Sequence, residues 1–403
     1  MKTYLSLLKT RGVARIMAAQ LVARFPNGML SLAFLLHIQH IAGSYFAAGL
    51  VLAATSLGQA IAGPLTSRWM GVWGMRRVLV LTMIVCATAV GTIALAPALP
   101  IGLYMAIGFI SGLSTPPIQP AVRTIYPKMV NSRQLTPLFS LDASAQEVIW
   151  VVGPVITTFL AIQVSTVLAI LVALVFLIGG GIWFISSPEV GRVRIPRSKR
   201  NLGAVLKKPA VLLATTTGFL LVGACAAVEA GVVSAFGKSG PQAGLVLGLF
   251  AVGSLIGGLA LGHIPIGPWA LARRLFAIFV GMSLAAASLN FWWLAVTLFI
   301  AGIGIAPALA VMFAIVSSSV RFSETAEAYG WVGTGQLIGA AIGSAVAGFL
   351  IDRFNAPGAF WVAAAFAGLG FLLPTIFHRA HPDLRGRDAS PIPDTEPIAT
   401  HPG

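Results

Sequence analysis

Twelve times along this chain a run of about twenty or more apolar residues is followed by a short break: residues 13–38, 43–69, 78–98, 101–125, 137–161, 164–185, 210–237, 243–263, 271–289, 292–320, 325–351 and 358–377. Helix rises about 1.5 Å per residue and the hydrocarbon core of a bilayer is about 30 Å thick, so each run can cross as an α-helix. The runs are continuous instead of alternating over about ten residues, which excludes a β-barrel. The fold class is therefore an all-α membrane protein with twelve transmembrane helices. Composition agrees: 57% of the 403 residues are hydrophobic and 9% are charged, with a mean hydropathy of +0.91, and no soluble fold needs that much uninterrupted apolar sequence.

The formal charge of +15 does not point to nucleic acid, because Lys and Arg lie in short loops between the runs and act as topology signals. Lys2, Lys9, Arg11 and Arg15 precede the first span; Arg68, Arg76 and Arg77 follow the second, Lys128 and Arg133 the fourth, and Arg273 and Arg274 the eighth. Only Lys238 and Arg353 fall on the other side. Both termini and every even-to-odd connection are thus expected at the cytoplasmic face of an inner or plasma membrane. The basic N-terminus superficially resembles a signal peptide, but no small-residue cleavage site follows, so the first helix is expected to stay. Cys86 and Cys225 sit in separate apolar runs without metal-ligand spacing and read as small core residues. Neither a cofactor nor a metal is expected.

The chain uses one design twice. Gly58, Ile61 and Gly63 recur as Gly253, Ile256 and Gly258, and the pair Arg76/Arg77 returns as Arg273/Arg274. Ser111, Gly112 and Pro117 in the fourth span match Ala301, Gly302 and Pro307 in the tenth, and Gln146 and Gly153 in the fifth match Gln336 and Gly343 in the eleventh. Two pseudo-symmetric six-helix bundles follow, 1–187 and 210–378, joined by the basic linker 188–209. That linker reads as a solvated segment touching anionic lipid heads. The tail 379–403, rich in Pro and Asp, reads as disordered. Parallel repeats with a site at their interface near the bilayer midplane are a secondary-transporter architecture.

Twelve spans, a six-plus-six repeat, a basic central loop and the loop after the second span together resemble the major facilitator superfamily over the whole membrane region, in a bacterial drug- or metabolite-efflux-like branch. The family's loop motif, Gly-x-x-x-Asp-Arg-x-Gly-x-Arg-Arg, places Ser67 at the first Gly, Gly71 at the Asp, Val72 at the first Arg, Gly74 at the second Gly and Arg76/Arg77 at the basic pair. The acid and the first arginine are missing. The resemblance implies that this loop latches onto the start of the eleventh helix when the cytoplasmic side is shut. With Gly71 in place of the acid, the latch is expected to fall to Arg68, facing the first turn with Glu324 and Glu327. Gly153-Pro154 in the fifth span resembles the kink of antiporter branches, which leans towards export.

Charges inside spans are costly and need a reason. Arg24 and Glu147 lie at equal depth, roughly 17 Å in, and are expected to pair across the first and fifth helices, as a cavity element or a structural ion pair. Arg123 and Asp142 are expected to form a separate pair at the cytoplasmic end. Glu229 has no basic residue within a helical turn, and a carboxyl in an apolar wall without a cation can carry a proton. If Arg24 holds Glu147 ionised, proton coupling falls to Glu229. Pro26, Asn27, Gln146, Trp150 and Gln336 are further cavity-wall candidates. The stripe Gly335, Gly339, Gly343 reads as close helix packing.

No phosphate-binding loop, zinc spacing or nucleophile elbow is present, so an enzyme is not expected. The expected function is secondary active transport of a small, amphipathic solute, exported against protons by alternating access, by a monomer whose partners are the solute, protons and membrane lipids. Proton-coupled import of a metabolite is the alternative. A membrane sensor or assembly factor on the same scaffold is the alternative of another class.

Overall fold

The computed structural model describes residues 2–96, 99–198, 200–236, 242–387 and 389–394; Lys238 and residues 395–403 of the tail lie outside them. Apolar sequence becomes helix in twelve spans. The first is Val13–Arg24 and Leu30–Ala42, split by a 3-10 turn, Phe25–Gly28, at Pro26. The second to sixth are Tyr45–Trp73, Met75–Leu95, the pair Ile101–Leu113 and Ile118–Ile125, Ser132–Gln163 and Thr166–Ser186. The seventh to twelfth are Pro209–Phe236, Gln242–Leu261, Ala270–Ala285, Phe291–Ser319, Thr325–Phe354 and Ala356–Ile376. Starts are marked by side-chain caps: Ser44, Asn131, Ser165 and Asn290 accept from the backbone N–H of Ala47, Gln134, Leu168 and Trp292. The fourth span breaks at Pro116 and Pro117, where the ladder loses two donors. Gly74, with φ 91° and ψ 145°, makes the two-helix turn in a region closed to other residues.

Eleven of the spans are long and apolar enough to cross a membrane. The ninth, with 16 residues, is shorter than its apolar run. The first six spans form one half and the last six the other. Within the second half the seventh and eleventh helices press backbone to backbone: a methyl on Gly335, Gly339 or Gly343 would strike the carbonyls of Thr215, Phe219 and Gly223 in turn. The stripe is a packing seam, as small residues at intervals of four allow.

The halves meet at the end that carries the ordered terminal segments and the basic connections, here called the basic end. The contact is built twice. Thr334 donates to the Ala60 carbonyl at 2.7 Å, and Gly63 lies against Gly330 with no room for a side chain. Ser140 donates to the Gly258 carbonyl at 2.6 Å, and Gly258 and Gly262 lie equally close to Ser144 and Ser140. The offset that relates Gly58 to Gly253 relates Gly63 to Gly258, and the offset that relates Gln146 to Gln336 relates Ser140 and Ser144 to Gly330 and Thr334. One interface is therefore the pseudo-twofold image of the other. Farther from the basic end the same faces separate: Leu57, Ile338 and Val148, next in register, are 58%, 42% and 48% exposed. A cleft opens there.

Two expectations change and one element is new. A short helix, Lys2–Lys9, precedes the first span; its Leu7 is fully buried, and its Tyr4 hydroxyl donates to the Gly258 carbonyl at 3.1 Å, tying the N-terminus to the other half. The linker is docked instead of solvated: Gly203 N–H donates to Glu327 at 2.7 Å and Lys208 to Glu324 at 2.7 Å. The described part of the tail is packed instead of disordered. Ile392 bridges Val320 and Phe322 through two backbone hydrogen bonds of 2.9 and 3.0 Å, Leu384 N–H reaches the Ile266 carbonyl, and Asp394 accepts from the Ser323 hydroxyl at 2.6 Å. Apolar content is sparse in the tail, but Leu384 and Ala389 join the core, and the extended turn before the eleventh helix supplies free backbone groups to pair with.

Candidate functional site: a charged plug beneath a carboxyl-bearing cleft

The first, fourth and fifth spans bring one carboxylate and two guanidiniums together in a fully buried cluster. Asp142 lies 3.1 Å from Arg123 Nε and 3.5 Å from Arg24 Nη1, all three at most 3% exposed. The carboxylate also accepts from Gln20 at 3.0 Å and from the Tyr126 hydroxyl at 3.1 Å. Arg24 further donates to Gln20 at 2.8 Å, to Gln119 at 3.3 Å and to Gln146. Buried charges persist only when paired and hydrogen-bonded, and here two cations share one anion. The surplus charge meets an aromatic ring: the Arg123 guanidinium carbon stands 3.4 Å from the centroid of Phe313, on the tenth span of the other half.

Phe313 belongs to an aromatic plug that seals the basic end. Phe139 lies 6.3 Å from Phe313 and 6.4 Å from Tyr329, Phe313 lies 6.3 Å from Tyr329, and the Tyr329 hydroxyl donates to the Phe313 carbonyl at 3.0 Å. Arg123 and Phe313 are equivalent positions of the repeat, as are Phe139 and Tyr329, so the plug sits on the pseudo-twofold axis.

The expected pair of Arg24 with Glu147 is not formed, and Arg123 with Asp142 is not a separate pair. Arg24 joins Arg123 on Asp142. The physical reason is azimuth. Asp142 and Gln146 are four residues apart and share a helix face, whereas Glu147 is turned by about 100°. Equal depth put Glu147 at the right height on the wrong side. Glu147 instead lies beside Ser254 of the eighth span and within electrostatic reach of Glu229 of the seventh. Ser254 in turn accepts from Ala306 N–H at 3.2 Å. Glu229 is exposed and Glu147 half-buried, and among the described residues neither has an ion-pair partner. Cys225, one turn before Glu229, lies in the field of both.

Of the other wall candidates, Gln146 belongs to the charged cluster, and Gln336 packs on Gly218. Pro26 is buried in the turn that splits the first span, while Asn27 and Trp150 are exposed. Gly153 carries no side chain because Gly28, in that turn, lies directly against it.

The end of the second span reaches the eleventh helix. Arg68 lies 3.2 Å from Glu327 and also donates to the Arg200 carbonyl, while Glu324 is held by Lys208 and, at 3.4 Å, by Arg200. Arg76 donates to the carbonyls of Ile185 and Ser187, Gly71 packs on the linker at Pro196, and Ser67 is buried. Lys128 stands 4.5 Å above Phe322 across the halves. Sequence reasoning missed Gln20, Gln119, Ser254, Phe313 and Asp394; the two glutamines, polar side chains inside apolar runs, were the available signal.

Twelve spans in two repeat-related halves, shut at one end and parted at the other, make a secondary-transporter bundle. The chain belongs to the Major Facilitator Superfamily, whose sequence profile matches residues 16–234 and 225–400; it is a transporter and not an enzyme. A bacterial homologue of the iron transporter ferroportin, in an outward-facing state, superposes with a TM-score of 0.73 at 13% identity, over 91% of this chain and 99% of that one. The human organic anion transporter TETRAN gives 0.69 at 15% identity, over 90% and 99%. The E. coli fucose:proton symporter gives 0.70 at 13%, over 90% and 97%. At such identities the likeness is one of fold. No curated protein sequence matches.

Proposed function

We propose that this protein exports a small amphipathic solute in exchange for protons, with Glu229 and Glu147 as the groups that carry the proton. One observation supports this above the rest: two carboxyls from different halves lie within electrostatic reach of each other, and among the described residues neither has an ion-pair partner. One proton between them relieves repulsion that two ionised groups would suffer, and rocking of the halves changes their separation. Arg24 and Arg123 are occupied by Asp142, so neither glutamate is neutralised by them.

The basic end is assigned to the cytoplasm of an inner or plasma membrane by its excess of Lys and Arg, and the cleft then faces outward, the state named for the ferroportin homologue. The direction rests on the resemblance of Gly153-Pro154 to the antiporter kink. Purified protein in liposomes with a pH-sensitive dye inside tests the proposal: candidate amphiphiles added with an imposed proton gradient should move protons, and Glu229→Gln should abolish coupling without loss of folded protein. Unchanged proton movement in that variant refutes Glu229 as carrier, and solute accumulation along with inward protons refutes export.

A further inference from the structure

The ninth and twelfth spans leave a groove at the basic end, lined by Trp269, Ala272, Arg273, Phe276, Phe371 and Thr375, with a volume of about 500 Å³. We propose that this groove binds an anionic phospholipid, one acyl chain lying along Phe276 and Phe371 and the headgroup phosphate resting on Arg273.

Three features carry the assignment. First, the groove opens to the bilayer: the ninth span packs on the tenth and twelfth, and along its seam with the twelfth Trp269 and Phe276 remain 42% and 49% exposed. Its walls are almost wholly apolar, with Phe276 and Phe371 rings 5.2 Å apart.

Second, the ninth span is short. Its 16 residues rise about 24 Å against a hydrocarbon core of about 30 Å. The tenth span, of 29 residues, runs past its start and leaves a notch there: Arg274, in the ninth span's first turns, bonds the Pro307 carbonyl, and the tenth continues to Ser319. Trp269, at the start itself, stacks on His378 with centroids 4.8 Å apart and planes 13° apart. An aromatic platform of this kind belongs at headgroup level.

Third, the groove carries an unanswered charge. The adjacent arginines part by one helical step: Arg274 turns inward and donates to the Pro307 carbonyl at 3.2 Å, and Arg273 turns out into the groove, exposed. Among the described residues Arg273 has no acidic partner, whereas Arg15, Arg68 and Arg123 each have one. A cation above an apolar channel matches a phosphate joined to an acyl chain, and basic pockets between helices on this side of a membrane recruit anionic lipids. A free phosphate would leave the channel unused.

Trp269 is the reporter. Protein is placed in bilayers of phosphatidylcholine and phosphatidylglycerol in which one or the other lipid carries brominated chains, and the Trp269 contribution is taken as the difference between the protein and its Trp269→Phe variant. At equal bromine content the brominated phosphatidylglycerol should quench that contribution at least twofold more. Arg273→Gln should bring the two lipids to parity, Arg273→Lys should keep part of the preference, and inorganic phosphate at millimolar concentration should not remove it. Equal quenching by both lipids in the unmodified protein, a preference that survives Arg273→Gln, or its loss on adding phosphate would each overturn the assignment. Arg273 is outside the cleft, so this outcome is independent of how the carboxyl pair behaves.

Discussion

Replacing Phe313 by Leu should open the basic end. Arg123 and Phe313 belong to opposite halves, and both are at most 1% exposed when that end is shut. The guanidinium 3.4 Å from the ring centroid is a desolvated cation–π contact, worth about 2 kcal/mol or more. It cannot survive separation of the halves, so its whole value favours the shut state. Leu keeps most of the apolar volume of the plug but offers no π face, leaving the surplus guanidinium charge of the Asp142 cluster unanswered. A loss of about 2 kcal/mol changes the ratio of shut to open molecules by about thirtyfold, since about 1.4 kcal/mol is tenfold.

The assay is a distance distribution between spin labels at Arg77 and Arg379, exposed on opposite halves at the basic end, with Cys86 and Cys225 replaced by Ser. The longer distance should gain population in Phe313→Leu, and Phe313→Tyr should stay close to the parent. A distribution unchanged in Phe313→Leu would show that the plug is held by apolar packing alone and that the surplus charge is balanced inside the first half.

Gly330→Ala should act in the same direction by a different cause, because its methyl would meet the Gly63 backbone; the same label pair should lengthen while the melting temperature in detergent changes little. Arg68→Ala and Glu327→Ala should be non-additive in shifting that distance, with a coupling of about 1 kcal/mol, and strict additivity would deny the latch. The tail should loosen in acid. His381 is buried, and that burial above all, with Arg274 adding, holds its imidazole below the usual 6.5, so the docked tail keeps it neutral. Docking is then at full strength above about pH 6.5 and weakens as pH falls through and below that value. Amide exchange at residues 384–392 should rise between pH 7 and pH 5, and His381→Phe should remove the pH dependence.

What the sequence makes legible follows from which physical constraint acts. Bilayer thickness forces long apolar runs, so the spans could be counted from the chain, and the unusual shortness of the ninth helix was hidden because its apolar run continues past the helix end. The pairing of Arg68 with Glu327 was legible because the two lie at helix ends, in the last turns of the second span and the first turn of the eleventh, whose position the fold dictates. The charged cluster was not, because depth along a helix is set by counting while azimuth is set by neighbours. A single residue step, from Gln146 to Glu147, separates a group that serves Arg24 from one that faces the other half. The tail misled for a related reason: Ile392 docks through backbone groups, which composition does not reveal.

The plug nevertheless lay within reach of the sequence. A pseudo-twofold axis carries each position of one half onto its equivalent in the other, and equivalent residues close to the axis must come close to each other. The interval that links Pro117 to Pro307 and Gln146 to Gln336 also links Arg123 to Phe313 and Phe139 to Tyr329, and in the structure each of these pairs is in contact. Both pairs come from the same two repeated segments, the fourth and tenth spans and the fifth and eleventh. The residue types differ within each pair, so a search for matching residues passes over them. The chemistry of closure lies in that difference: a cation in one half and a ring at its image make one attractive contact, where two arginines would repel.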